Sequence, residues 1–235
     1  MRLESTVEQF EKQRAAFGLR STLRLYGLRA IQRVMPFKVL RGVSLSVVDP
    51  RFLDCPPGFS GKYLDAKALR SLAEDASYDL PSEFLDEAIA KGDKCYAILD
   101  GSVVAAYGWY ADNSTRIGDE LRLHFDAGYV YMYKGLTLDR YRGKRLHAIG
   151  MTRALAACLD GGKKGIVSYV ESGNLSSLRS VYRMGYTDFG RVFIAGGLGR
   201  RAIYRTGGCK AFGFRVATEP VVAEAAPAVS VSPAH

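Results

Sequence analysis

The chain has 235 residues, a formal net charge of +9 and 48% hydrophobic residues, which suits one domain with extensions. It contains no apolar run as long as a membrane-spanning helix requires. Its four cysteines lie far apart and form no Cys-x-x-Cys pair. Neither a metal site nor a disulfide framework is therefore expected, and a cytoplasmic location is predicted.

Much of the positive charge lies in residues 1–42, which hold nine Lys or Arg and three Glu. A basic amphipathic helix is expected over 17–35, ending before Pro36. Its apolar stripe consists of Leu19, Leu23, Tyr26, Ala30 and Val34, and its flanking cations are Arg20, Arg24, Arg29 and Arg33. Such a helix suits an anionic membrane surface at the inner face of the membrane, its own domain, or a second subunit in a homodimer. Nucleic acid is not expected as a partner, because the segment is apolar between its arginines.

The following residues, 43–210, show the alternation of strand and helix patterns that is typical of an α/β domain. Strands are predicted at 43–48, 94–99, 103–110, 121–125, 129–138, 166–170, 186–195 and 202–206. Helices are predicted at 66–76, 82–90, 145–159 and 175–184. Loops are expected at 50–61 and 113–120. Residues 216–235 are rich in Ala, Val, Pro, Ser and Glu without any period, which predicts a disordered tail.

A basic segment lies between the strand at 129–138 and the helix at 145–159. It contains Arg140, Arg142, Gly143, Lys144 and Arg145. The first N–H groups of a helix have no partner within the helix, and the helix dipole adds partial positive charge there. Gly143 allows the backbone to approach an anion closely. The segment therefore predicts a phosphate-binding loop.

A second motif follows about thirty residues later and consists of Asn174, Ser177, Gly185 and Tyr186. Together with Arg140-x-x-Gly143, it resembles the GCN5-related N-acetyltransferase (GNAT) family, whose loop reads Arg/Gln-x-x-Gly-x-Gly/Ala. Arg145 departs from that pattern, because the family has a small residue at its position. The resemblance covers roughly residues 43–205 and implies an α/β fold with a mixed sheet.

The resemblance also implies direct transfer of an acyl group from acyl-CoA to an amine, with acetyl-CoA as the default donor and no metal. By position, the residues that it assigns to acyl-CoA are Leu136, Thr137, Leu138, Arg140, Arg142, Gly143, Lys144, Arg145 and Asn174. A backbone N–H of Leu136 or Thr137 is expected to contact the thioester oxygen.

The candidate catalytic residues are Tyr182, Glu120 and His124. Tyr182 follows Val181, which holds the position at which the family often has a tyrosine that protonates the thiolate. Glu120 and His124 are candidate bases, because the strand at 129–138 lacks the glutamate that the family commonly uses.

The identity of the acceptor stays open at this stage. Tyr129, Tyr131 and Tyr133 alternate along one strand, which suits a cleft for a partly apolar acceptor or for a longer acyl chain. Two further hypotheses remain beside an acetyltransferase. One is a longer-chain acyltransferase at the membrane surface, and the other is a catalytically weak regulatory module that binds CoA or membrane.

Overall fold

The computed structural model describes residues 2–118, 120–197 and 200–219. The helices are α1 (Arg2–Phe17), α2 (Leu19–Val34), α3 (Ala66–Leu72), α4 (Ser82–Lys91), α5 (Leu146–Asp160), α6 (Leu175–Arg183) and α7 (Gly208–Ala211). The strands are β1 (Phe37–Leu45), β2 (Phe59–Leu64), β3 (Lys94–Asp100), β4 (Val103–Ala111), β5 (Thr115–Gly118), β6 (Leu121–His124), β7 (Tyr129–Thr137), β8 (Gly165–Glu171), β9 (Thr187–Gly197), β10 (Arg200–Arg205) and β11 (Arg215–Thr218).

Eight strands form one mixed sheet in the order β10-β9-β1-β8-β7-β4-β3-β2. All neighbours in it are antiparallel except β7 and β8, which are parallel. A smaller sheet has the order β11-β6-β5. The predicted fold class, an α/β fold with a mixed sheet, is confirmed.

Helices cover both faces of the large sheet because the side chains of its inner strands are apolar on both sides. Leu146, Ile149 and Leu155 of α5 belong to a core cluster on one face. On the opposite face, Leu69 of α3 and Leu85 of α4 pack in a second cluster. The two faces of the sheet are thus separate environments, one under α5 and one under α3 and α4.

The first strand differs from its predicted position. It was expected at 43–48 but extends over Phe37–Leu45, and it pairs with β8 on one side and with β9 on the other. Residues 37–42 therefore belong to the sheet, although the helical extension was expected to continue to residue 42. Val39 and Leu40 are buried there, which supplies the packing that holds this stretch as a strand.

Two predicted loops contain strands. β2 begins within the segment expected to be a loop at 50–61 and extends beyond it. β5 lies within the other expected loop, at 113–120. Both are edge strands, which are often short and polar, and their side chains are mostly partly exposed or exposed, so neither shows a strong apolar alternation.

The tail was predicted to begin at residue 216, which is too early, because Val216 and its neighbours in β11 pair with β6. Phe214, just before β11, is fully buried. Residues 220–235 of the predicted tail lie outside the described residues. None of the helices in the described part of the chain combines the length and the apolar character needed to cross a bilayer.

Candidate active site

The parallel strands β7 and β8 separate halfway along the sheet. They pair only over Tyr129–Tyr131 and Gly165–Val167, while β7 continues to Thr137 and pairs with β4 alone. At the point of separation, the Ser168 hydroxyl donates to the Met132 carbonyl oxygen at 2.7 Å. A gap therefore opens through the sheet beside the second half of β7.

Backbone N–H groups of β7 face this gap. The Leu138 N–H donates to the Ala105 carbonyl oxygen of β4 at 3.1 Å. In an antiparallel pair, alternate residues direct both of their polar backbone groups to the same side. The N–H of Leu136 therefore faces β4, and those of Gly135 and Thr137 face the gap. Of the two predicted carbonyl donors, only Thr137 has this orientation.

Gly135 lies directly against the first turn of α5. A Cβ atom at this position would lie 2.6 Å from Cε1 of His147 and 2.9 Å from Cε of Met132. Burial lowers the pKa of His147, so this ring is neutral at pH 7. The absence of a side chain at Gly135 thus lets α5 approach β7 at the edge of the gap.

The predicted phosphate-binding loop joins β7 to α5. Arg142 N–H, one of the donors expected there, is already bound to the Asp139 carbonyl oxygen at 3.1 Å. Among the residues that the structure describes, none accepts a hydrogen bond from the N–H of Gly143, Lys144 or Arg145. Helix α5 begins at Leu146 without a side-chain cap. These free donors form the kind of cluster that binds an anion.

The basic side chains of the loop surround these donors. The Arg140 and Lys144 cations lie 5.1 and 5.5 Å from the centre of the Tyr141 ring, and the Tyr141 hydroxyl donates to Asp100 at 3.0 Å. Arg142 instead forms an ion pair with Asp139 at 2.8 Å. A buried tyrosine thus supports two of the predicted phosphate-binding cations.

Arg145 has the left-handed backbone conformation, with φ at 60°, where a Cβ atom costs about 1 kcal/mol. We expect Arg145→Gly to raise the free energy of unfolding by about 1 kcal/mol, measured by urea denaturation. Arg145→Ala is the matched control, because it removes the same charge and keeps the Cβ atom. Equal stabilisation by both substitutions would attribute the effect to charge and contradict the prediction.

Two predicted site residues are engaged by their own surroundings. The Asn174 side chain accepts from the Ser177 N–H at 3.0 Å and caps α6. The Tyr182 hydroxyl donates to Asp188 at 2.7 Å and accepts from Arg41 at 2.9 Å. Burial and the hydrogen bond to Asp188 raise the pKa of Tyr182. Tyr182 therefore lies over β1 and β9 and holds its proton.

The two candidate bases lie at the smaller sheet. Glu120 forms an ion pair with Arg201 at 3.0 Å. His124 lies on β6 opposite Arg215, and partial burial and the nearby Arg215 lower its pKa. A cavity opens at the gap between β7 and β8, and neither residue lines it. The structure thus does not bring them together with the phosphate-binding loop and β7.

A cavity of about 380 Å³ opens on the α4 side of the gap. Its walls come from β7, β8, α4 and β5, and they include Tyr131, Tyr133, Lys134, Tyr169, Phe84, Lys91 and Arg116. Two of the three tyrosines predicted to line a cleft, Tyr131 and Tyr133, are among them. Tyr133 is also the extra residue of a bulge in β7, which turns successive side chains to the same face.

A further residue of this cavity is Asp93, which sequence reasoning missed. Its side chain is 2% exposed, and its Oδ2 accepts from the Tyr133 hydroxyl at 2.7 Å and pairs with Nζ of Lys91 at 2.9 Å. Burial raises the pKa of Asp93. No side chain or backbone group that the structure describes donates to Oδ1. In sequence, Asp93 is only a polar residue after the Gly92 that ends α4, so no motif marks it.

Comparison with known proteins gives similarities of structure alone. No protein-family model matches the chain, and no curated protein matches it. It is similar to a GCN5-related N-acetyltransferase from Sphaerobacter thermophilus, with 14% identity, a TM-score of 0.48 and coverage of 77% of this chain and 55% of that one. It is also similar to a GCN5-related N-acetyltransferase-like protein from Streptococcus suis, with 20% identity, a TM-score of 0.47 and coverage of 70% and 65%.

A third similar structure is yncA from Salmonella typhimurium, which was solved with acetyl-CoA. It shows 16% identity and a TM-score of 0.41, with coverage of 73% of this chain and 99% of that one. The chain spans less than two thirds of the Sphaerobacter and Streptococcus proteins. GNAT proteins are thus among the structures that this chain resembles, as its motifs predicted. Because these TM-scores lie below 0.5, the function is inferred from the residues of the site.

Proposed function

We propose that this protein transfers an acyl group, acetyl by default, from acyl-CoA to an amine. The observation that carries the proposal is the gap between β7 and β8, which joins two different environments. The basic N-terminus of α5 lies on one face of the sheet, and the tyrosine-lined cavity lies on the other. A thioester with its phosphates at the loop would extend along β7 and present its acyl group to the cavity.

The loop supplies the donors for the pyrophosphate in this proposal. The N–H groups of Gly143, Lys144 and Arg145 bind the phosphate oxygens. The side chains of Arg140 and Lys144 add charge-assisted contacts, since they stack on Tyr141 at the same edge. Arg142 contributes long-range charge, because its N–H and guanidinium are already bound to Asp139.

The exposed edge of β7 supplies the donors for the acyl group. Amide groups of the CoA arm can pair with a free strand edge as a further strand would. The N–H of Thr137 or Gly135 then polarises the thioester carbonyl, because both face the gap. Leu136 and Leu138 pack beneath this edge and shape it through their side chains.

Proton transfer is assigned to Asp93 rather than to Glu120 or His124. The ammonium form of the acceptor loses one proton to Oδ1 of Asp93, and the neutral amine attacks the carbonyl carbon. The carbon–sulfur bond then breaks, the nitrogen gives its second proton to solvent, and Asp93 releases its own proton to solvent. The departing thiolate takes a proton from solvent, because the Tyr182 hydroxyl proton is bound to Asp188. Lys91 and Tyr133 hold Asp93 through Oδ2 and keep Oδ1 directed to the acceptor.

The cavity indicates the kind of acceptor. Aromatic walls from Phe84, Tyr131 and Tyr169 favour a partly apolar body, and the Asp93 carboxylate favours a basic nitrogen. The proposed acceptor is therefore a small molecule or chain end that carries a primary amine on an apolar group.

Calorimetric titration with CoA, acetyl-CoA and longer acyl-CoAs tests the proposal. We expect micromolar binding of acetyl-CoA. We expect binding about 100-fold weaker or more in the double variant Arg140→Glu, Lys144→Glu, since each charge-assisted contact contributes about 1.5–3 kcal/mol. Lys67→Glu with Lys210→Glu is the matched control, because both lysines are exposed and distant in sequence from the loop. If the unmodified chain binds none of these ligands, the proposed acyltransferase activity is contradicted. The remaining interpretation is then a regulatory module that does not bind CoA.

A further inference from the structure

Helix α2 presents an apolar face to solvent. The buried residues of the helix, Thr22 and Leu25, point to the body of the protein. On the outer side, Leu23 is 54% and Val34 is 87% exposed. The exposed apolar residues of α2 and its C-terminal cap are Leu19, Leu23, Ile31, Val34 and Met35. We call this group the α2 outer face.

The orientation of α2 is fixed by contacts on its inner side. Side-chain atoms of Leu28 and Leu25 would lie 3.6 and 3.8 Å from a Cβ atom placed at Gly173, so the helix packs against the turn after β8. The Phe10 ring of α1 meets the Tyr26 ring at 5.2 Å, so α1 partly covers the apolar stripe at Tyr26, while Leu23 and Val34 stay exposed. Within the part of the chain that the structure describes, Leu23 and Val34 on the outer face are therefore left open to solvent.

The charges on α2 itself all have one sign. Helix α2 contains four arginines and no acidic residue. At about 100° per residue, Arg20 and Arg24 flank one side of the apolar stripe, and Arg29 and Arg33 flank the other. None of the four forms an ion pair within the described part of the chain. An apolar stripe between two rows of free cations is typical of an interfacial helix.

We propose that the α2 outer face docks the protein on an anionic lipid surface. A second copy fits less well, because a symmetric contact would place four arginines against four arginines with no acidic partner. Lipid phosphates match the arginines, while the acyl region accepts Leu23 and Val34. The cytoplasmic leaflet carries such anionic lipids. This inference does not depend on the proposed acyltransferase.

Flotation of the full chain with vesicles tests this inference. We expect binding to phosphatidylcholine vesicles that contain phosphatidylglycerol, no binding to phosphatidylcholine alone, and weaker binding as salt rises. Leu23→Glu with Val34→Glu should lower the partition coefficient about tenfold or more. Val47→Glu is the matched control, because Val47 is 76% exposed after β1 and away from α2, and it should bind as the unmodified chain does.

Three results would overturn the inference. They are absence of binding to anionic vesicles, equal binding to both kinds of vesicle, and equal loss in Val47→Glu and in the double variant. A concentration-dependent dimer that the double variant abolishes, without vesicle binding, would assign the outer face to a second copy. Circular dichroism of each variant verifies folding. Calorimetry of the double variant with acetyl-CoA should give unchanged affinity, which separates this test from that of the active site.

Discussion

Asp93→Asn is expected to lower the turnover number by about 100-fold to 10,000-fold, while acetyl-CoA binds with unchanged affinity. The asparagine keeps the size of the side chain and the contact with Tyr133, but its amide cannot accept the proton of the acceptor amine. Because Asp93 lies in the cavity and not at the phosphate-binding loop, the loss should appear in turnover. Steady-state kinetics and calorimetry on the same variant check both parts.

The pH dependence supplies a second readout for Asp93. Burial raises its pKa above the ordinary value of 3.8, and the carboxylate is the form that accepts a proton. The turnover number should therefore fall as pH decreases through this raised pKa. This fall at low pH should disappear in Asp93→Asn. Asp86→Asn is the matched control, because Asp86 lies on α4, seven residues before Asp93, in an exposed ion pair with Arg70. If the turnover number of Asp93→Asn falls at low pH as that of the unmodified protein does, the base is another group.

Gly135→Ala is the second substitution with a large expected effect. The added methyl group would lie 2.6 Å from the His147 ring and 2.9 Å from Cε of Met132, so these side chains must shift in the contact between α5 and β7. We expect a loss of about 1–3 kcal/mol in the free energy of unfolding. We also expect a loss of about 100-fold in kcat/KM, because the N–H groups at the gap move relative to the thioester. Urea denaturation and steady-state kinetics measure the two effects.

Removal of the His147 ring provides the control for Gly135→Ala. In the double variant Gly135→Ala, His147→Ala, the methyl group gains space, so the two substitutions should couple favourably. The free energy lost by the pair should be smaller than the sum of the single losses. Strict additivity would show that the contact seen between His147 and Gly135 does not limit the packing of α5 on β7.

The parts of the fold that the sequence predicted are those with local signals. The hairpin of β3 and β4 follows from the Asp100-Gly101 turn, and α5 follows from an apolar run that ends at two glycines. The phosphate-binding loop was visible because its charge, its glycine and the helix start are contiguous. For each of these, neighbouring residues in the chain determine the conformation.

The parts that were missed depend on residues far apart in the chain. Asp93 becomes a buried carboxylate through Tyr133, forty residues later, and no local pattern reports that contact. The central position of β1 depends on pairing with β8 and β9. Which of Val181 and Tyr182 points into the core depends on tertiary packing. Val181 joins the core under α5, and Tyr182 does not.

The position of β1 also sets the order in which this chain can reach its native state. Both neighbours of β1 in the sheet, β8 and β9, are made more than a hundred residues after β1. Until β8 has emerged at residue 171, the strand has neither hydrogen-bonded edge, and until β9 has emerged at residue 197 it has only one. Such non-local pairing slows folding, and an unpaired apolar strand is prone to aggregate. Completion of the sheet around β1 thus waits for more than a hundred further residues of synthesis, and a nascent chain that stops before β9 lacks one of the two strands that pair with β1.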